Sequence, residues 1–335
     1  MPGSGRAMAL EAGSAMHDVF AAVRLYDLAI FQQHQDHTRY HGSRLFGEDR
    51  WRSISAHIPF TTGHSEANLR STALEALYTS GFHDDPFDSR RTVANLEEAS
   101  IEYVDRWPLA KHPIWVRDIQ DPTSNVGIEV PFELVLTFQL STPKASGVSP
   151  PVEYPYTRVT VGEPEVWVWE QSYRFIGRMD GLHLFSGRHL EVQENKTAAR
   201  LNDGWKMSFE MSHQVTGYMI AASIWLQAQV EHATVIGLQI PQPKRSPESG
   251  LVRLPLTRRP HQFADFFRWF YDTVQVWEKY RENIFDAPQF THSCNRYFRP
   301  CNMIPFCVGD MDEKQQILTE MEPYEWSPID AKVSD

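Results

Sequence analysis

"GRMDGLHLFSGRHLEVQENKTA" occupies residues 177–198. Its first half carries an acid, Asp180, after a β-like run, and its second half closes the next run on Glu194-Asn195-Lys196. Side chains two apart on a strand share a face, so Glu194 and Lys196 point the same way. A hairpin of two apolar strands has no structural need for two carboxylates and a lysine at one end. Cleaving a phosphodiester does need such groups, because a divalent cation must polarise the phosphate and activate a water. Mg2+ and Mn2+ take oxygen ligands, which makes Asp180 and Glu194 the candidate metal ligands. Lys196 then orients the water or neutralises developing charge.

Outward from this stretch, the apolar pattern changes period twice. Before residue 110 it is helical: "AMHDVFAAVRLYDLAIFQQHQDH", "SEANLRSTALEALYTSGF" and "DSRRTVANLEEASIEYVDRW" repeat apolar residues at three and four, the last with Asp88 or Ser89 as cap. From about 126 the period is two, in "NVGIEVPFELVLTFQL", "VWVWEQSYRFIGRMDGLHLF" and "RHLEVQENKTA", interrupted by the Pro-rich "STPKASGVSPPVEYPYT". A helix, "WKMSFEMSHQVTGYMIAASIWLQAQ", and one more strand, "EHATVIGLQIPQ", follow. Strand, strand, strand, helix, strand predicts an α/β (α+β) core with a mixed central sheet flanked by helices. The implied organisation is a helical region over 1–125, a core over 126–242, a basic loop, long helix and cysteine segment over 243–309, and an acidic, loosely held tail over 310–335. Gln214 and Tyr218 lie four apart in "QVTGY", on one helix face that can reach back towards the lysine, the metal or DNA. Glu129 and Glu133 are alternative sources of a further carboxylate in the first strand.

"GRMDGL", "ENK" and "QVTGY", in that order, resemble the core motifs of the PD-(D/E)XK nuclease superfamily, RecB-like branch. The likeness is to phage and CRISPR-associated exonucleases with a C-terminal three-cysteine segment; it covers roughly 126–307, and its weaker N-terminal part reaches back to about residue 25. It implies that Asp180 and Glu194 bind the metal, that the backbone carbonyl of Asn195 joins them, that Lys196 assists catalysis, and that Gln214 and Tyr218 support the site and contact DNA. That family also carries a metal-binding histidine in a Gly-x-x-x-His pattern on an N-terminal helix. At the stretch aligned with it, "ANLRS", Ser71 stands in the histidine's place, and His64 lies about two turns earlier.

All three cysteines, Cys294, Cys301 and Cys307, fall in "CNRYFRPCNMIPFC", a clustering that points to a shared metal or cluster. The resemblance implies a 4Fe–4S cluster with His34 at the fourth position. Zinc held by three cysteines and one histidine is the alternative, with His37 and His292 as further candidates.

The net charge of −11 disfavours a protein that coats nucleic acid over its whole surface. It leaves room for a local groove, for which the basic stretch "PKRSPESGLVRLPLTRRP" offers Lys244, Arg245, Arg253, Arg258 and Arg259. The chain has no apolar run of membrane-spanning length and no signal-peptide layout, so a cytoplasmic protein is expected. It also has no Gly-x-x-x-x-Gly-Lys-Ser/Thr phosphate loop, so any helicase or recombination protein is a separate partner. The sequence thus predicts a Mg2+- or Mn2+-dependent deoxyribonuclease, an exonuclease on DNA ends or single strands. The rival expectations are a nuclease-fold subunit that binds DNA with weakened catalysis, and a zinc- or iron–sulfur-bearing structural subunit.

Overall fold

The computed structural model describes residues 4–60, 63–84, 88–106, 113–143, 156–159, 166–185, 189–241, 250–281, 283–286, 295–296, 299–300 and 304–320. The first helix, α1 (Ser4–Ile30), is apolar on every side from Ala12 to Ala29, and Met16, Val19, Phe20, Val23, Leu25 and Leu28 are fully buried. A helix of that kind belongs inside a protein. It lies against α2 (Gln35–Phe46), the helices α4 (Glu66–Tyr78) and α5 (Val93–Arg106), and two strands of the sheet.

The periodic run expected to be one helix to His37 breaks after Ile30, where Gln33 takes a left-handed conformation with φ 59°. α2 restarts at Gln35, and Gly47, with φ 76°, turns the chain into α3 (Glu48–Ser55). Ser65 caps α4 by accepting from the Asn68 N–H. The cap of α5 is Thr92, whose hydroxyl accepts from the Asn95 N–H at 3.2 Å, and neither Asp88 nor Ser89 fills that role. Asp88 instead closes the preceding turn on Arg90 and Arg91.

The sheet comprises β1 (Ile128–Pro143), β2 (Tyr156–Val159), β3 (Val166–Phe185), β4 (His189–Ala198), β5 (His232–Gln239) and β6 (Gly250–Thr257). Its spatial order is β1-β3-β4-β5-β6, with β2 also paired to β3. β1, β3 and β4 are antiparallel neighbours, and β5 is parallel to β4. That parallel pairing requires a crossover, which runs through α6 (Asp203–Met207) and α7 (His213–Leu226).

β6 corrects the basic-loop reading, since half of "PKRSPESGLVRLPLTRRP" is an antiparallel edge strand. Pro255 is tolerated there because an edge strand has one side without ladder bonds. Arg258 is buried beyond its end, donating to the Thr216 hydroxyl at 2.9 Å and the Phe209 carbonyl at 2.8 Å, so it ties β6 to the start of α7.

β5 is covered on both faces of the sheet. Ile236, Leu238 and Ile240 of the β5 region join the core under α1, α4 and α5, while Ala233 and Val235 join the core under α7. That alternation is the two-residue period of a strand buried on both sides.

The described residues fall into two compact units, one up to Phe266 and one from Phe267. α8 (Pro260–Arg281) spans that boundary in sequence, and the second unit also holds β7 (Asn295–Arg296), β8 (Arg299–Pro300), α9 (Ile304–Val308) and α10 (Met311–Glu320). The first part of the expected tail from residue 310 is helical, in α10, which has no buried residue. Among the described residues no helix is long and apolar enough to cross a membrane.

α7 approaches β3 closely at Gly217, where an added Cβ would sit 2.8 Å from the Phe175 ring and 3.1 Å from Phe266. Gly217→Ala is therefore expected to destabilise the protein by about 1–3 kcal/mol through overpacking. Urea unfolding checks this, and an unchanged midpoint would contradict the close approach.

Candidate metal centre

The acids of the quoted stretch come together because β3 and β4 are antiparallel neighbours. Gly181 pairs with Gln193, which puts Asp180 beside Glu194 one step further along. Lys196 shares the face of Glu194 and forms an ion pair with its Oε1. Glu194 is 1% exposed, whereas the Lys196 side chain keeps 32% of its surface open. Asn195 contributes its backbone N–H, which donates to Asp180 Oδ2 at 2.6 Å.

Of the two glutamates in the first strand, Glu129 enters the site and Glu133 does not. Ile128 pairs with Gly181 and Val130 with Met179, so Glu129 stands opposite Asp180. Glu133 faces outward and pairs with Arg174 at 2.7 Å. The backbone at Glu129 is left-handed, with φ 48°, which is rare for a non-glycine residue inside a strand. Alternation breaks at the same place: Ile128 joins the core under α1, and Val130, two residues on, joins the core under α7. The kink aims the Glu129 carboxylate at its neighbours, and strained backbone of this kind gathers at functional sites.

The residue that the sequence reading missed is His17. Its Nδ1 lies 3.5 Å from Glu129 Oε1 and 3.6 Å from Asp180 Oδ1. It comes from α1, whereas Ser71 and His64 belong to α4 and the loop before it. His64 is engaged elsewhere, its Nδ1 3.4 Å from the Tyr26 hydroxyl. A signal was present: Gly13-Ser14-Ala15-Met16-His17 has the Gly-x-x-x-His spacing sought at Ser71.

Gln214 and Tyr218 do share a face of α7, with Gln214 Nε2 donating to the Tyr218 oxygen at 3.0 Å. That leaves the phenol proton available to an acceptor. Burial, and after it the negative charge of Glu194, holds Tyr218 well above the ordinary tyrosine range, so it stays a neutral donor.

Burial followed by Glu194 pushes Asp180 up to about 8, against the pull of His17 and Lys196. Burial alone would lower His17, but Asp180 and Glu129 outweigh it and raise the imidazole to about 9. Without a cation, protons therefore hold this cluster together. One ligand atom each from His17, Glu129 and Asp180 lies within 4.8 Å of the others. Glu194 Oε2 is buried with no hydrogen-bond partner. A buried carboxylate oxygen without a donor is costly. Carboxylate oxygens with one imidazole suit Mg2+ or Mn2+, so these residues fit a divalent cation.

The remaining candidates divide as follows. Cys294, Cys301, His292, Lys244 and Arg245 lie outside the described residues. Cys307 is half-buried in α9 of the second unit. His34 caps α2 in the first unit, its ring 5.3 Å from that of His37. His37 is buried with Nε2 3.0 Å from the Asp118 carbonyl, a structural tie to the loop before β1. Arg253 is half-buried on β6, near Tyr103 and Glu191. No family model matches the chain and no curated protein matches it.

Two outcomes are expected. Asp180 and His17 sit above their unfolded values of roughly 3.9 and 6.5, so the folded cation-free protein keeps protons that the unfolded chain has released. Its stability then falls as pH rises, through Asp180 from about 4 to about 8 and through His17 from about 6.5 to about 9. Mn2+ displaces those protons, so the rise in melting temperature it produces should be larger at pH 8.5 than at pH 6; a pH-independent rise in parallel melts would refute the linkage. Separately, Glu129→Gly should be more stable than Glu129→Ala by about 1 kcal/mol, the cost of a left-handed backbone for a residue with a Cβ. Equal stability of the two variants in urea unfolding would contradict strain at this position.

Proposed function

We propose that this protein is a divalent-metal-dependent DNA nuclease with a PD-(D/E)XK-like core, cutting at DNA ends or in single strands. The observation that carries the reading is the convergence of His17, Glu129 and Asp180 beside the unpartnered oxygen of Glu194, with Lys196 at the open side. The order of elements supports it, since an N-terminal helix is followed by three antiparallel strands, a crossover helix and a parallel strand. Acid, Glu-x-Lys and Gln-x-x-x-Tyr occupy successive elements of that series.

Asp180 and Glu194, with His17 and Glu129, would hold the cation. When bound there it supplies Lewis-acid polarisation of the phosphate and acidifies water. The protein's own groups do the rest. The Asn195 N–H fixes the Asp180 carboxylate in one orientation. Glu194 holds the Lys196 ammonium next to the acids while leaving it open to solvent, where it neutralises charge developing on the phosphate and exchanges protons with water. Tyr218, its oxygen fixed by Gln214, offers its proton to an anion.

Cleavage of end-labelled single- and double-stranded DNA in Mn2+ tests the proposal. The wild type should cut, and Lys196→Ala and Asp180→Asn should each lose about 100-fold or more while remaining folded by circular dichroism. Undiminished cleavage by either variant would sink the mechanism. A wild type that binds DNA without cutting it would favour the reading as a binding subunit.

A further inference from the structure

Behind the acids, on the α1 side of the sheet, lies a second set of buried polar groups that takes no part in the chemistry above. Arg24 of α1 is 2% exposed, with Nη1 3.1 Å from Asp27 Oδ2 and Nη2 2.9 Å from His183 Nε2 on β3. Because the guanidinium can only donate, the His183 ring accepts at Nε2. Tyr103 of α5, fully buried, is within the field of Arg24, and its hydroxyl interacts with the Gln193 side-chain amide. Gln193 Nε2 in turn donates to Asn195 Oδ1 at 2.8 Å.

Taking an arginine and an aspartate out of water is an expensive way to hold a helix, since apolar side chains of like volume commonly serve as well or better. α1 already has such side chains on every face. The spacing shows what the charges add. His17 and Arg24 are seven residues apart on α1, a rise of about 10.5 Å. Their partners Asp180 and His183 are three residues apart on β3, a rise of about 10 Å. Asp180 and His183, an odd number of residues apart, point to opposite faces of β3, so α1 holds the strand at two positions and from both faces. A second route runs from Arg24 through Tyr103, Gln193 and Asn195 to Asp180 Oδ2, while His17 meets Oδ1.

We infer that Arg24, with Asp27, His183 and Gln193, is a positioning network that sets the register of α1 on β3 and so holds His17 and both oxygens of Asp180 where a cation can take them. The inference deepens the nuclease reading, because it names what aligns that site, and it rests on that reading for the identity of the cation.

The test uses the full-length chain. Arg24→Met combined with Asp27→Leu removes both buried charges together, so neither is stranded. The double variant should melt within a few degrees of wild type and bind Mn2+ about 10- to 100-fold more weakly by calorimetry, the usual effect of losing groups that orient metal ligands. His183→Leu should weaken binding likewise, and His183→Gln, which keeps an acceptor for Arg24, should restore it. The Asn195 amide proton, read by NMR without metal, should move upfield in the double variant and in His183→Leu as its bond to Asp180 loosens. Should the double variant fail to fold, the His183 pair decides. An Asn195 resonance and an Mn2+ affinity unchanged in folded variants would overturn the inference. A wild type that binds no Mn2+, with an Asn195 amide that still responds to these substitutions, would overturn the nuclease reading and leave the positioning network standing.

Discussion

Three carboxylates share one corner of this protein, and their mutual repulsion is the constraint that the surrounding structure answers. Glu129, Asp180 and Glu194 come from three neighbouring strands and are almost wholly removed from solvent. Like charges so placed cannot all ionise without a counter-charge. The chain supplies some of it from its own groups: an imidazole from α1, an ammonium from Lys196 and a backbone N–H from Asn195. One oxygen of Glu194 is still left over. The deep burial of α1 and the reversed backbone at Glu129 both make sense in relation to this corner, since the first brings His17 to it and the second turns a carboxylate into it.

Much of the framework was legible because its strands are long and their apolar pattern is regular. β3 runs from Val166 to Phe185, the same bounds as the β-rich run in the sequence, and β4 closes on Ala198 as the pattern requires. Asp180, Glu194, Lys196, Gln214 and Tyr218 were marked by their order and spacing, and the fold brings them to one place.

What escaped did so for identifiable reasons. Strand alternation puts Glu129 and Glu133 on one face, so only the kink at Glu129 separates a buried ligand from a surface ion pair, and a glutamate does not announce a left-handed backbone. His17 sits in a helix so largely apolar that its neighbours identify a core and hide a site. The pattern Gly13-x-x-x-His17 is there, but "ALEALY" gives α4 the stronger likeness to the family's histidine helix. β6 was masked by its arginines and by Pro255, which an edge position tolerates. The break between α1 and α2 falls at Gln33, a residue with no special claim to positive φ.

The corner draws its groups from the first helix, from β1 before the midpoint of the chain, and from the end of β3 and β4 beyond it. A ribosome that has delivered α1 has delivered His17 with none of its acids, and one that has delivered β1 has added Glu129 alone. Until Glu194 and Lys196 emerge, the growing chain has no assembled centre, and β4 still lacks its parallel neighbour until β5 follows. Products truncated before the end of β4 therefore lack part of the corner that the finished chain assembles. That delay separates making most of the protein from assembling its charged corner.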